Sequence, residues 1–223
     1  MKRIAVTIGD PAGIGPELIV RVLPDCVDKD IRFTVFGRRD IFESCSSFIP
    51  QETERFFEFA ESGELSLVDV AKTVSPPPFG APSRGGGAIS FDAVRRAAAD
   101  ALSGNQGALV TAPICKESWH LAEKFYPGHT EFYQHLVGAK DTAMMLTLGN
   151  FRVIHVVTHT AIRDVPDMVK NNRIVRVASL MHDALKLMGI KRPKLAVCGL
   201  NPHAGESGLF GSEEIEEIIP AVE

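Results

Sequence analysis

Short apolar runs alternate with amphipathic stretches along most of this chain, and no other feature limits its fold as strongly. That alternation is the pattern of an α/β protein, in which strands buried on both faces are joined by helices. Ile4 to Ile8 reads as a first strand, closed by Gly9-Asp10-Pro11. Pro16 suits the first turn of a helix through Val22. Arg32 to Phe36 reads as a second strand ending at Gly37, and residues 40 to 62 read as mostly helical with a break near Pro50. Ser75-Pro76-Pro77-Pro78 and Gly85-Gly86-Gly87 flank a stretch without periodicity. Proline fixes φ and glycine frees it, so this is read as a connecting segment, either a plain surface loop or a flap over a cleft.

Beyond it, Ser90 is read as the cap of a helix through Leu102 that ends at Gly104. Ala108 to Thr111 is read as a buried strand. Ala143 to Leu148 and Arg152 to Val157 read as a hairpin turning at Gly149-Asn150. Asn172 to Met188 is a strong helix ending at Gly189, and Lys194 to Cys198 reads as another buried strand. Ser212-Glu213-Glu214 opens a last helix with acids in its first turn, which runs into Pro220. No internal repeat or low-complexity tract interrupts the pattern.

Composition removes several function classes. The formal net charge of -4, with no long basic run, argues against a nucleic-acid partner. No segment approaches ~20 uninterrupted apolar residues, so no membrane span is expected. The apolar run at the N-terminus is too short for a signal peptide and stops at Asp10. Cys26, Cys45, Cys115 and Cys198 form no Cys-x-x-Cys pair, which points to reduced thiols in a cytoplasmic protein.

Chemistry concentrates in a few segments. Gly9 to Glu17 joins a strand to a helix, and its glycines allow close backbone approach and an anion at the helix N-terminus. Its spacing is not the dinucleotide fingerprint, and a tight structural turn explains it equally well. Tyr126-Pro127-Gly128-His129-Thr130 sets an imidazole and a hydroxyl at the start of a helix, where a carboxylate or phosphate could bind. Two further histidines, His159 and His203, each follow an apolar run. Open α/β sheets bind ligands beyond the carboxyl ends of their strands, and neutral imidazole is a common metal ligand. His155 shares parity with His159 on an extended strand, but about 13 Å would separate them at ~3.3 Å per residue, too far for one metal. Arg163 is read as pairing with Asp164. The glycine-rich loop Asn201 to Gly211 carries His203 and Glu206, a composition typical of functional loops.

Taken together, five segments resemble the 4-hydroxythreonine-4-phosphate dehydrogenase (PdxA) family. They are Gly9 to Glu17, Thr111-Ala112-Pro113-Ile114, Gly128 to Phe132, Thr158-His159 with Arg163 to Pro166, and Gly199 to Glu206. The resemblance implies an isocitrate/isopropylmalate dehydrogenase-like α/β fold. Its two lobes, residues 1–122 and 123–223, would surround a cleft in a homodimer. It implies NAD or NADP as oxidant, and a divalent metal (zinc, cobalt, manganese or magnesium) held by His159 and His203. His129 and Thr130 would contact a phosphorylated hydroxy-acid substrate. The implied reaction is oxidative decarboxylation of 4-phosphohydroxy-L-threonine to 3-amino-2-oxopropyl phosphate in pyridoxal phosphate biosynthesis. Catalytic and cofactor-binding residues are not assigned.

Three departures qualify that expectation. Family members continue past the residue matching Glu223, into a part that carries a third metal histidine, a lysine, asparagine and arginine set for substrate, and much of the cofactor contact. The chain is therefore read as lacking the C-terminal third, with weak metal binding unless solvent or a neighbouring molecule helps. Cys115 stands where asparagine is usual. Leu209-Phe210 replaces a common His-Met pair, as in relatives that oxidise threonate or erythronate 4-phosphate. The competing readings are such an acid-sugar phosphate dehydrogenase, an inactive ligand-binding fragment, and a metal-dependent phosphate-ester hydrolase.

Overall fold

The computed structural model describes residues 2–223, which divide into two compact units, one ending at Tyr133 and one starting at Gln134. The expected lobe boundary lay after Ala122. The segment beyond it stays with the first unit because Tyr126 and Phe132 pack on Phe91 and Trp119.

The first unit is built on a four-stranded parallel sheet. Strands β1 (Lys2–Thr7), β2 (Ile31–Gly37), β3 (Leu65–Asp69) and β4 (Ala108–Thr111) lie in the order β3-β2-β1-β4. The register pairs Ile4 with Phe33 on one side of β1 and with Ala108 on the other. Helices α1 (Gly15–Cys26), α2 (Arg39–Ser44) and α3 (Pro50–Glu61) form as the sequence suggests, with Pro16 and Pro50 in the first turns of α1 and α3. Helix α1 runs on past Val22 and carries Pro24 within its last turns. The core joins Ala5, Val6 and Ile8 of the β1 segment to Ile19, Val20, Val35, Phe42, Phe56, Ile89, Ala93 and Ala97. Each of these larger apolar side chains contributes about 1.5–3 kcal/mol on burial.

Helix α4 (Arg84–Leu102) departs from the expectation. It begins six residues before Ser90, capped by Ser83, whose hydroxyl accepts the N–H of Gly86 at 3.0 Å. Ser90 lies inside the helix, fully buried, and accepts the indole N–H of Trp119 at 3.0 Å. The glycines read as a flexible connection are instead helical, because α5 (Lys116–Leu121) passes against them. A Cβ on Gly87 would lie 1.8 Å from the carbonyl oxygen of Ser118. Strand β4 is a correction of a different kind: it forms, but as an edge strand with Val110 52% exposed rather than buried.

Helix α6 (His129–Val137) carries the boundary between the units. In the second unit β5 (Met145–Leu148) and β6 (Phe151–Ile154) make the expected hairpin, with Gly149 at φ +56°. Short α7 (Val165–Met168) precedes the long α8 (Asn171–Leu187), and the chain reverses at Gly189 with φ +87°. A π-helical stretch, Glu214–Ile218, runs into α9 (Ile219–Val222). Val169, Ile174 and Ile218 centre a small core with Val156, Val157, Val165 and Leu200 around it.

Lys194 to Cys198 is not a buried strand. No strand among the described residues pairs with it, and Val197 is 42% exposed. Without a ladder partner its backbone polar groups must stay in water, so the apolar run stays at the surface. No helix among the described residues is long and apolar enough to cross a membrane.

Replacing Gly87 by alanine should force α4 and α5 apart, since the clash is with backbone that cannot rotate away. The expected cost is about 3 kcal/mol, the upper end of overpacking penalties. Chemical denaturation of Gly87→Ala checks it, and a variant as stable as the parent would refute the close approach.

Candidate functional site

Two groups of residues carry the site chemistry, one in each unit. In the first unit the strand order places a switch point between β1 and β4, because the connection from β1 leads to β2 on one side while β4 lies on the other. Both loops that leave this point belong to the segments singled out in the sequence. They are joined directly: the N–H of Asp10 donates to the carbonyl of Pro113 at 2.8 Å, and a Cβ on Gly9 would meet that oxygen at 2.4 Å. Gly9 has φ +72°, a conformation that side chains resist. Gly15 likewise packs on the carbonyl of Ile8, where a Cβ would lie 2.2 Å away.

Asp10 is 6% exposed, and among the described residues it makes no ion pair. Its carboxylate accepts the N–H of Ala12 at 2.9 Å and the hydroxyl of Ser118 at 3.0 Å. The Ser118 oxygen in turn accepts the N–H of Ser83 at 3.2 Å. One buried acid therefore ties the glycine-rich loop, the start of α4 and helix α5 together. Nothing in the sequence marks this role, although Asp10 stands in the Gly9-Asp10-Pro11 turn. Cys115 caps α5 weakly, its sulfur accepting the N–H of Ser118 at 3.5 Å.

His129 is the first residue of α6 and Thr130 the second, so both stand within its first turn. Thr130 is exposed, whereas His129 packs edge-to-face on Trp119 with ring centroids 5.9 Å apart. Burial holds the imidazole below its ordinary value of 6.5. It is therefore neutral at neutral pH and able to exchange a hydrogen bond with an anion without competing as a cation. A surface cleft of about 500 Å³, lined by Lys116, Glu117, His120, Phe125, Tyr126 and Pro127, adjoins the turn that leads into His129.

In the second unit, His159 and His203 both lie on exposed segments. His159 is not at a strand end. Strand β6 stops at Ile154, and the chain then bends, which also removes the straight-strand spacing assumed for His155 and His159. His159 itself has φ +56°. Arg173 of α8 fixes this segment by donating to the carbonyls of Val156 at 3.0 Å and Thr142 at 3.1 Å. Arg163 and Asp164 pair at 3.6 Å, both exposed.

His203 opens a turn of unusual backbone. Ala204, Gly205, Glu206, Ser207 and Gly208 all have positive φ. For residues other than glycine this region costs about 1–2 kcal/mol each. Against it lies Glu214, 6% exposed on the π-helical stretch, whose carboxylate accepts the N–H of Leu200 at 2.8 Å. The other oxygen of Glu214 lies 2.8 Å from where a Cβ on Gly205 would be. The Nδ1 of His203 lies 2.6 Å from a Glu206 carboxylate oxygen, and its backbone N–H donates to the Asn201 side chain at 2.9 Å. With Nδ1 engaged, Nε2 is the nitrogen left for a metal, the carboxylate-histidine arrangement common around metal ions. That geometry fits a ligand, but the set is incomplete. Among the described residues no group of three or more His, Cys, Asp or Glu donors converges.

Truncating Glu214 to alanine should loosen the His203 loop without touching the histidine. Loss of a charge-assisted hydrogen bond to a buried N–H predicts roughly tenfold faster amide exchange at Leu200. An unchanged exchange rate would show that the loop holds itself. In the unfolded chain His129 takes up its proton near 6.5, in the folded protein only at lower pH. Stability tied to the neutral imidazole is complete above 6.5 and is lost as pH falls below it. The parent should therefore lose more stability than His129→Phe between neutral and mildly acidic pH; parallel curves in urea titrations would contradict this.

The family described as pyridoxal phosphate biosynthetic protein PdxA matches residues 29–223. A D-threonate 4-phosphate dehydrogenase from Cupriavidus necator is 37% identical over 233 residues, covering 99% of this chain and 68% of that protein. A 4-hydroxythreonine-4-phosphate dehydrogenase from Geobacter metallireducens is also 37% identical, over 228 residues, covering 99% and 67%. The crystal structure of a 4-hydroxythreonine-4-phosphate dehydrogenase from Burkholderia phymatum superposes with a TM-score of 0.82 at 37% identity, over 100% of this chain and 70% of that one. The chain thus spans about two thirds of the length of the curated relatives it matches. With the family match running over most of its residues and relatives aligned along nearly all of it, the chain belongs to the PdxA family.

Proposed function

We propose that the complete protein is an NAD(P)- and divalent-metal-dependent dehydrogenase that oxidatively decarboxylates a phosphorylated hydroxy acid. The observation that carries this reading is the coincidence of two built features in a member of this family. One is a neutral, packed imidazole at the start of α6. The other is an imidazole in a strained loop with one nitrogen held by a carboxylate.

When bound, a divalent ion supplies Lewis acidity to the secondary alcohol and the developing enolate, and the nicotinamide supplies the hydride acceptor. His159 and His203 would hold that ion as two of the three or more protein ligands a catalytic site needs. Glu206 keeps the His203 ring in one orientation and its Nε2 in the acceptor form. His129 and Thr130 would hold an anionic end of the substrate, the imidazole by a hydrogen bond from its neutral form and the threonine by its exposed hydroxyl. Asp10, through Ser118, keeps α5 and thus Trp119 in place behind His129. Exposed Leu146, Leu148, Phe151 and Val153 on the β5–β6 hairpin support a homodimer, since an apolar strand pair this exposed gains by being covered.

Two substrates compete within the reading. The names of the relatives include both D-threonate 4-phosphate and 4-hydroxythreonine-4-phosphate dehydrogenases. Leu209-Phe210 in the His203 loop, with the Phe210 ring 5.4 Å from that of His203, is the feature that keeps the former open. We take 4-phosphohydroxy-L-threonine, giving 3-amino-2-oxopropyl phosphate for pyridoxal phosphate synthesis, as the first substrate to test and D-threonate 4-phosphate as the second.

Incubating the complete protein with NAD or NADP, a panel of divalent metals and each substrate should give reduced nicotinamide with at least one. No reduction with either substrate in any combination would refute the reading. Glu206→Gln should weaken metal binding roughly 10- to 100-fold, the usual effect of losing a carboxylate behind a ligating histidine. Metal titration of parent and variant reads this, and equal affinities would remove His203 from the site.

A further inference from the structure

His129 and Tyr133 stand one turn apart on α6, so their side chains share a face of the helix. Their rings are nearly parallel, 18° apart, with centroids separated by 5.9 Å. Trp119 closes the imidazole edge-on, and Phe132 lies 5.6 Å from the tyrosine ring. Inside this aromatic nest two polar atoms are shut away from water with no hydrogen-bond partner among the described residues: Nε2 of His129 and the hydroxyl of Tyr133.

The nest is not generally short of partners. The indole N–H of Trp119, in the same cluster, reaches Ser90 at 3.0 Å. A buried polar atom left unpaired destabilises the folded chain, and native proteins rarely keep one without a reason. A phenylalanine at position 133 would keep the stacking and avoid that cost. Burial also keeps both groups neutral, lowering His129 and raising Tyr133 well above its ordinary value of 10. A neutral phenol is a ready donor to an anionic oxygen.

We infer that Tyr133 is a further substrate-binding residue: substrate entering at the start of α6 displaces the aromatic cover, and the hydroxyl then donates a hydrogen bond to an anionic oxygen of the phosphorylated substrate that His129 contacts. This rests on the reading of His129 as a substrate contact. It goes beyond that reading by giving the face of α6 a second donor and by explaining why an unpaired phenol is held there. The carboxylate or phosphate of the substrate satisfies a group that the chain itself leaves unsatisfied, so the cost of burial in the ligand-free protein becomes discrimination for a ligand with an oxygen at that position.

The test uses Tyr133→Phe in the complete protein, loaded with metal and NAD or NADP. Calorimetric titration with 4-phosphohydroxy-L-threonine and with D-threonate 4-phosphate measures binding, and reduced nicotinamide measures turnover. The expected result is about tenfold weaker binding and a matching rise in KM, with kcat changed much less, the signature of a contact made in ground and transition state alike. The ligand-free variant should melt at the same temperature as the parent or higher, because an unpaired buried hydroxyl has been removed.

Binding within twofold of the parent overturns the inference, and so does a fall in melting temperature of the ligand-free variant, which would make the hydroxyl a structural group. If the parent binds substrate but reduces no nicotinamide, the dehydrogenase reading fails while the binding comparison still judges Tyr133. If the parent binds neither compound, both readings fall.

Discussion

A single buried carboxylate organises the first unit. Asp10 lies where β1 ends and the glycine-rich loop begins, and it binds Ala12 of that loop and Ser118 of α5. Ser118 is also the residue whose backbone presses on Gly87 of α4. Its neighbour Trp119 forms the wall behind His129. A displacement at Asp10 would therefore travel along one connected path: loop, helix pair, indole, imidazole. A buried acid without a cation is costly unless its oxygens are paired, and here donors on both sides offset that cost. The glycines serve the same end, since Gly9, Gly15 and Gly87 each let one backbone touch another.

The second unit solves its problem differently. Its core is small, and its sheet is a two-stranded hairpin. Order around the histidines depends on polar groups reaching across the backbone: Arg173 to the carbonyls of Val156 and Thr142, and Glu214 to the amide of Leu200. Glu214 accepts the amide of Leu200 just ahead of the strained turn that follows His203. Strain held in place by neighbouring structure is characteristic of sites that present a side chain in a fixed direction.

Several elements were legible in the sequence because their signals are local. Gly149-Asn150 specified a hairpin, Gly189 ended α8, and Pro16 and Pro50 marked helix starts. His129 and Thr130 at the start of α6 were equally visible, since Pro127-Gly128 forces the turn that precedes them. What misled were residues with two roles. Ser90 has the chemistry of a cap but was needed by Trp119, and Ser83 took the capping role. Three consecutive glycines look like a hinge, yet they make room for α5. Lys194 to Cys198 has the apolar content of a strand, but a strand exists only with a partner to pair with. Asp10 and Glu214 were hidden because a carboxylate gives no sign in sequence that it will be buried.

The sequence by itself determined the alternation of strand and helix, the family, and the residue types available for binding an anion and a metal. These follow from hydrophobic period, turn chemistry and short motifs, all of which act within a few residues. Tertiary structure alone decided which groups are pre-set. It joined the β1 and β4 loops through Asp10 and Pro113. It set the Glu214 carboxylate against the amide of Leu200, and it closed His129 against Trp119 in an aromatic nest where His129 Nε2 and the Tyr133 hydroxyl have no hydrogen-bond partner among the described residues. Burial and hydrogen bonding between residues distant in the chain are properties of the packed state, and they decide whether a histidine is a surface residue or part of a site.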